Sequence, residues 1–549
     1  MSLLLVILFT VKQTNLPANM EVFMGKKMGR RVLSSLTITA MTVVALLAST
    51  GCGMSENTPA GESKSTVQNV ARTKSETDIL RTNMISEPDS LDPWKSAASD
   101  TSAVMQNVFE GLLRYDTDAK ILPGLAQSWN LSDDRLTYTF QLNKGVKFHN
   151  DHDLTAEDVV YTYQHLAGLD GNKAVAVRYS QIAAVKAIND YEVAITLKKP
   201  SAQFPALAAM GMILPKGYDK QAEHPIGTGP YKFVSYTPGQ KIVLAKNEAY
   251  FDQTRAAKIP KVEIHVIHDQ ATVISALQSG QLDLARLMSF NSLDVLNKDF
   301  NIMKSPSNMV QLLGLNNSVT PLNKLEVRQA INYAIDKKAV IDGVFSGFAT
   351  ELHSNFSPVM KEYYNERLDA YYPYDPEKAK DLLQKAGLLN GFTLNIKVPS
   401  NYTMHMDAAQ IIAEQLSAVG IKAKIIPVEW ATWLEEVNSK ANYEATIISL
   451  TGKLDPADVL GRFSTSYKRN FTKFRNKEFD ELIDRASTES DNEKRVEMYR
   501  ECQEILAKEA GSVFICDPNI VMAVRKDIQG YKFYPVSFLD LAAISYAGK

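Results

Sequence analysis

The sequence predicts an α/β protein built as two lobes, and three observations lead there. Between residues 375 and 450 helical and strand-like patterns alternate as βαβαβ, which implies a parallel sheet with helices packed on it. The earlier part of the body is strand-rich instead, with apolar residues alternating at period two, as half-exposed antiparallel strands require. The chain has 549 residues, and at about 150 residues per domain this length exceeds a single core.

Composition narrows the function classes. Hydrophobic residues make up 45% and charged residues 22%, an ordinary globular mix. The formal charge of −2 gives no footprint for a phosphate-backbone binder, so nucleic acid is excluded as a partner. Three cysteines in a chain this long cannot form a disulfide framework.

At the N-terminus, Lys26, Lys27, Arg30 and Arg31 precede an apolar stretch densest from residue 38 to 48. A basic segment, a short apolar segment and then small residues describe an export signal. The apolar part is shorter than the roughly 20 residues a spanning helix needs. It ends Ser49-Thr50-Gly51-Cys52, which resembles a bacterial lipoprotein signal in which Cys52 becomes the lipidated N-terminus. The alternative is a plain signal peptide with an incidental Cys. Residues 1–23 read as an over-extended start, with translation beginning at Met24 or Met28. Removal of residues 1–51 takes away five cations and Glu21, leaving 498 residues with net charge −6. Residues 52–77 are polar, lack aromatics and read as a flexible tether.

In the body, residues 136–142 (LTYTFQL) and 191–197 (YEVAITL) read as strands. Between them Thr155 and Asp158 form a capping box for a helix over 156–165. Val327, Ala330, Ile331, Ala334 and Ile335 make one buried helix face. Asp375-Pro376-Glu377 opens a helix whose Ala379, Leu382, Leu383 and Ala386 face inward and which Gly387 ends. A strand over 393–398, a helix through Ile412 and Leu416 closed by Gly420, and a strand over 421–428 follow. Helical 430–437 and an apolar strand over 445–450 complete the alternation, then helices over 477–486 and 492–508. Cys502 and Cys516 fall on apolar positions, as buried free thiols do; an exported location also allows a disulfide.

Catalytic and metal motifs are sparse. There is no G-x-x-x-x-G-K-[ST], G-x-S-x-G or H-E-x-x-H. Gly227-Thr228-Gly229 is followed by Pro230 and reads as a turn, and His149, Asp151, His152 and Asp153 read as a turn before the Thr155 cap. His265 and His268, three apart on an expected strand, point to opposite faces. No catalytic residue, metal ligand or cofactor is expected.

Several segments together resemble the extracytoplasmic solute-binding proteins of family 5, the peptide/nickel-type receptors of ABC importers. They are Glu87-Pro88-Asp89-Ser90-Leu91-Asp92-Pro93, residues 107–116 (NVFEGLLRYD), 122–160, 227–231 (GTGPY), 277–283 (LQSGQLD), 327–336 (VRQAINYAID) and 374–387. Asp151-His152 departs from the family's Asp-Gly, which affects a turn. The resemblance implies the two-lobed periplasmic-binding-protein type II fold, large class, with ligand between the lobes. Lobe I would comprise residues 78–116, 227–315 and 520–549, with an inserted subdomain at 117–226, and lobe II residues 316–519. The crossings between lobes would lie near 312–316 and 513–519.

The function this implies is a lipid-anchored, extracytoplasmic, monomeric receptor that captures a short peptide and delivers it to an ABC permease and ATPase complex. Alternatives are a receptor for a nickel chelate or metallophore, and a secreted hydrolase. Ligand groups belong on loops after the second-lobe strands, the usual crevice of α/β sheets. Tyr402 follows one strand and Trp430 and Trp433 the next, offering stacking surface, though a solvated Tyr or core-packed Trp fits each position too. Lys453 and Arg462 can hold a carboxylate, or lie as surface charges. Asp455 matches the acid of the family's Asp-Pro segment, which implies a partner for a ligand α-ammonium; alternatively it only caps the turn with Pro456.

Overall fold

The computed structural model describes residues 78–96, 98–287, 293–296 and 298–548. The export signal, Cys52 and the tether to residue 77 lie outside the described residues.

The βαβαβ segment folds as its caps and stripes dictate. The side chain of Asp375 accepts from the Lys378 N–H at 2.8 Å, Pro376 occupies the first turn, and the helix runs Pro376–Lys385. Gly387 beyond it has φ +76°, a conformation glycine adopts without steric penalty. Strand Phe392–Pro399 lies between strands Ile421–Val428 and Ala445–Thr451 and runs parallel to both. Close approach at its entry requires glycine: a Cβ on Gly391 would stand 1.8 Å from the Gly420 carbonyl oxygen. The helix face of Val327, Ala330, Ile331, Ala334 and Ile335 is buried against this sheet. Burying each larger side chain stabilises by about 1.5–3 kcal/mol.

Strand Met309–Leu315 adds antiparallel to Ala445–Thr451, and the long strand Ser512–Arg525 lies beside it. The first half of Ser512–Arg525 pairs with Met309–Leu315 and Ala349–Glu351, the second half with Phe300–Pro306 and Leu284–Leu287. One strand therefore serves both lobes. The expected first crossing at 312–316 falls at the end of strand Met309–Leu315. The chain turns at Ser307-Asn308, between Phe300–Pro306 and that strand, and Asn308 has φ +58°.

In the first lobe, strand Ile79–Met84 runs parallel to Lys261–Val266, followed by Lys241–Lys246 and Tyr231–Thr237. A second four-stranded sheet holds Ala126–Leu131, Thr137–Leu142, Glu192–Leu197 and Ile182–Asn189. The two strands expected there pair directly, Phe140 opposite Val193, and both alternate buried and half-buried. The capping box forms: the Thr155 N–H donates to Asp158 Oδ2 at 2.9 Å, and the helix extends Ala156–Ala167.

Some expectations need correction. Residues 433–439 are not a regular α-helix: after one turn at Trp430–Thr432 the backbone widens into a π-helical segment, with the Lys440 N–H bonding to the Glu435 carbonyl. His268 lies outside its strand, which ends at Val266, and its Nδ1 meets the Ile85 carbonyl at 2.7 Å. Cys502 and Cys516 are both buried free thiols, and burial pushes both pKa values up.

The lobes also touch away from the crossings. The Ala202 N–H donates to the Ser487 carbonyl at 3.0 Å, and Arg495 Nη1 donates to the Ala202 carbonyl at 3.3 Å. Lys361 Nζ meets Asp118 Oδ1 at 2.6 Å. Leu454 packs into the core around Phe140, Tyr163 and Phe204. No helix among the described residues is long and apolar enough to cross a membrane.

Candidate functional site

The candidate site lies where the second-lobe strands end. Pro399 closes one strand, and Tyr402 stands at the head of helix Thr403–Ser417. Its ring meets Trp430 edge-on with centroids 5.4 Å apart, and Trp430 stacks on Trp433 at 5.1 Å with the planes 3° apart. Trp433 is 3% exposed, and its Nε1 donates to Thr446 Oγ1 at 2.9 Å. The Thr446 hydroxyl donates in turn to the Lys397 carbonyl at 2.6 Å, so Trp433 is framework. Trp430 and Tyr402 are half-buried and form the free edge of this trio. His405 under Tyr402 is buried and held near Gln311 Nε2 at 3.1 Å; burial lowers its pKa to about 4, which keeps it neutral.

The loop after strand Ala445–Thr451 is pinned at its start. The Gly452 N–H donates to the Asn308 carbonyl, and a Cβ on Gly452 would stand 2.0 Å from Asn308 Oδ1. Asn308 Nδ2 donates to the Pro535 carbonyl at 2.7 Å, so Asn308 links the loop to the C-terminal segment. Lys453 and Arg462 are half-buried, and Arg462 Nη2 donates to the Thr451 carbonyl at 2.7 Å. Burial lowers the Lys453 pKa, and the nearby positive charges of Arg462 and Arg178 lower it further. Asp458 faces the same three cations, yet burial raises its pKa.

Asp455 caps helix Pro456–Leu460: its Oδ1 accepts from the Ala457 N–H at 2.8 Å. The capping alternative is thus observed. The side chain is also 7% exposed, and burial, then the charge of Asp458, push its pKa up to about 7. The Ala457 N–H and the Arg495 charge oppose that shift. Arg495 Nη2 meets the Tyr363 hydroxyl at 3.1 Å, while its Nε and the Tyr499 hydroxyl are buried without a hydrogen-bond partner among the described residues.

The structure thus assembles Tyr402, Trp430 and Trp433 into one aromatic cluster, and brings Lys453 near Arg462, which lies in the short helical turn Gly461–Phe463. Asp455 belongs electrostatically with Tyr363, Tyr499 and Arg495. Sequence reasoning missed Arg178, Arg495 and Leu454. Their significance lies in contacts with the other lobe, and no local spacing encodes that.

Residues 120–471 match the family model for the bacterial extracellular solute-binding proteins, family 5. The chain is 30% identical over 501 residues to the di/tripeptide-binding protein 1 of Pseudomonas aeruginosa, covering 83% of this chain and 92% of that one. HbpA2 from Haemophilus parasuis has a similar structure, with TM-score 0.78, 26% identity, and coverage of 85% of this chain and 99% of that one. The ABC transporter-associated periplasmic binding protein DppA of Helicobacter pylori, solved in complex with peptide STSA, gives TM-score 0.68, 28% identity, and coverage of 86% and 98%. With its two lobes sharing one long strand, the chain belongs to the bacterial extracellular solute-binding proteins of family 5.

Proposed function

We propose that this protein is the lipid-anchored receptor of an ABC importer and captures a short peptide between its lobes. It releases the peptide unchanged to the permease and ATPase complex and does not act as an enzyme. The lobes follow the boundaries 78–116, 227–315 and 520–549, then 117–226, then 316–519, with Cys52 as the anchored residue. Relatives support the peptide class: one is named for di- and tripeptides, and one was solved with peptide STSA.

The observation that carries this reading is Asp455, an acid 7% exposed beside the Leu454 that packs against the inserted subdomain. A ligand ammonium beside it would lower its pKa and offset the penalty of burying the charge. Lys453 and Arg462 supply positive charge for the ligand carboxylate, and Tyr402 with Trp430 a wall for its side chains. The test is calorimetric titration of the mature chain with trialanine, followed by chromatography of the peptide. Saturable one-to-one binding with the peptide intact is expected. Cleaved peptide would mean an enzyme, and the absence of any saturable heat would overturn the peptide reading.

A further inference from the structure

A cavity of about 240 Å³ lies within the first lobe, at the junction of its main sheet and the inserted subdomain. Every lining residue falls within 106–124, 209–212, 230, 250–258 or 534–543, so no residue from 316–519 contributes and the cavity is separate from the candidate site. Phe109, Leu113, Met212 and Ala542 supply apolar wall. The charged residues lining it are Glu110, Arg114, Arg255, Lys258 and Asp540.

Four of these five are already committed. Glu110 accepts from Arg255 Nη2 at 2.6 Å, from the Tyr250 hydroxyl at 2.7 Å and from the Thr228 hydroxyl at 3.0 Å. Arg255 also bonds Asp252 at 3.0 Å. Asp540 accepts from the Tyr534 hydroxyl at 2.7 Å and the Ala543 N–H at 3.2 Å. Lys258 is exposed and donates to the Ala543 carbonyl at 3.2 Å. Arg114 alone is left. It lies on strand Leu113–Tyr115 between two buried neighbours that face the core, and is itself half-buried. Among the described residues its guanidinium has no hydrogen bond and no ion pair. Burial and the adjacent Arg255 both act against its charge, and Asp252, already bonded to Arg255, offsets them only in part.

A half-buried guanidinium that no side chain hydrogen-bonds, at the wall of a partly apolar cavity, gains from an anion that completes it. We propose that this cavity is a second binding site, for a small organic carboxylate whose oxygens pair with Arg114 and whose apolar body fills the space beside Phe109, Leu113 and Met212. A planar fork meeting one carboxylate is the geometry an arginine favours. At roughly 30 Å³ per water the volume equals about eight waters, enough for a body of benzoate size.

The probes are benzoate and its neutral counterpart benzamide, titrated by ligand-detected NMR into the mature chain. Benzoate is expected to bind saturably and at least tenfold more tightly than benzamide. Arg114→Gln should weaken benzoate at least tenfold while leaving trialanine binding unchanged, and Arg114→Lys should recover part of the loss. Met212→Trp, which fills the cavity without touching the charge, should also abolish benzoate binding and decides the matter if Arg114→Gln folds poorly. Equal affinity for benzoate and benzamide, no saturation, or benzoate binding insensitive to both Arg114→Gln and Met212→Trp would overturn the proposal. These outcomes are independent of the peptide site, because Asp455→Asn should leave benzoate binding intact.

Discussion

Asp517 Oδ1 accepts a hydrogen bond from the Ser307 N–H at 2.9 Å, and with it from the Ser307 hydroxyl at 2.8 Å and the Met309 N–H at 3.2 Å. Asp517 sits midway along the long strand Ser512–Arg525, and Ser307 sits at the turn between strands Phe300–Pro306 and Met309–Leu315. One carboxylate therefore ties that turn to the long strand. Burial still pushes its pKa up to about 6.

Asp517→Ala should lower stability in urea by about 1–3 kcal/mol, because it leaves two half-buried N–H groups without their acceptor. Asp517→Asn keeps an acceptor oxygen and should lose much less. The folded-state pKa of Asp517, about 6, lies above that of an ordinary aspartate, so the folded chain binds more protons between the two values. Stability from this group is therefore fully present below about pH 4 and is lost as pH rises through about 6. An Ala variant as stable as the Asn variant would mean the tie is not structural.

For Asp455 the same sign applies with a folded pKa of about 7. Asn caps a helix as well as Asp does. Asp455→Asn should therefore be more stable than wild type at pH 8, by on the order of 1–3 kcal/mol, with the difference vanishing near pH 4. The same variant should lose affinity for trialanine but much less for N-acetyl-trialanine. Asp455→Ala should weaken trialanine binding roughly 30- to several-thousand-fold. Equal losses for the free and acetylated peptides would leave Asp455 as a cap only.

The stacked tryptophans should separate by role. Trp433→Ala removes a buried side chain and its bond to Thr446, and should cost about 3–5 kcal/mol in thermal or urea unfolding. Trp430→Ala should cost far less stability yet weaken peptide binding and remove most of the ligand-induced fluorescence change. Equal stability losses would put both rings in the core.

Membrane fractionation and intact mass test the anchor. Wild type should be membrane-bound with a diacylated Cys52, since two acyl chains give stable anchoring where one is marginal. Cys52→Ser should be released. A soluble wild-type chain with an unmodified terminus would contradict the anchor.

Local signals carried much of the fold. Asp375, Pro376 and Gly387 bracket their helix as cap chemistry demands, and Thr155 with Asp158 does the same for another. The stripe from Val327 to Ile335 is buried because its spacing leaves no other face apolar. The π-helical stretch after Thr432 was not legible, since it accompanies Trp433 reaching Thr446 on a neighbouring strand. In the site, strand ends pointed to Tyr402 and Trp430, but only packing separates Trp430 from Trp433. Arg495 meets Ala202 across 293 residues of chain, beyond any local pattern.

The most direct test of the account is native mass spectrometry of the protein purified without denaturation. The account predicts one bound molecule per chain, released on unfolding and identified as a peptide of a few residues with a free amino terminus. A metal chelate, a non-peptide solute, or a chain that stays ligand-free in the presence of a short-peptide mixture would contradict it.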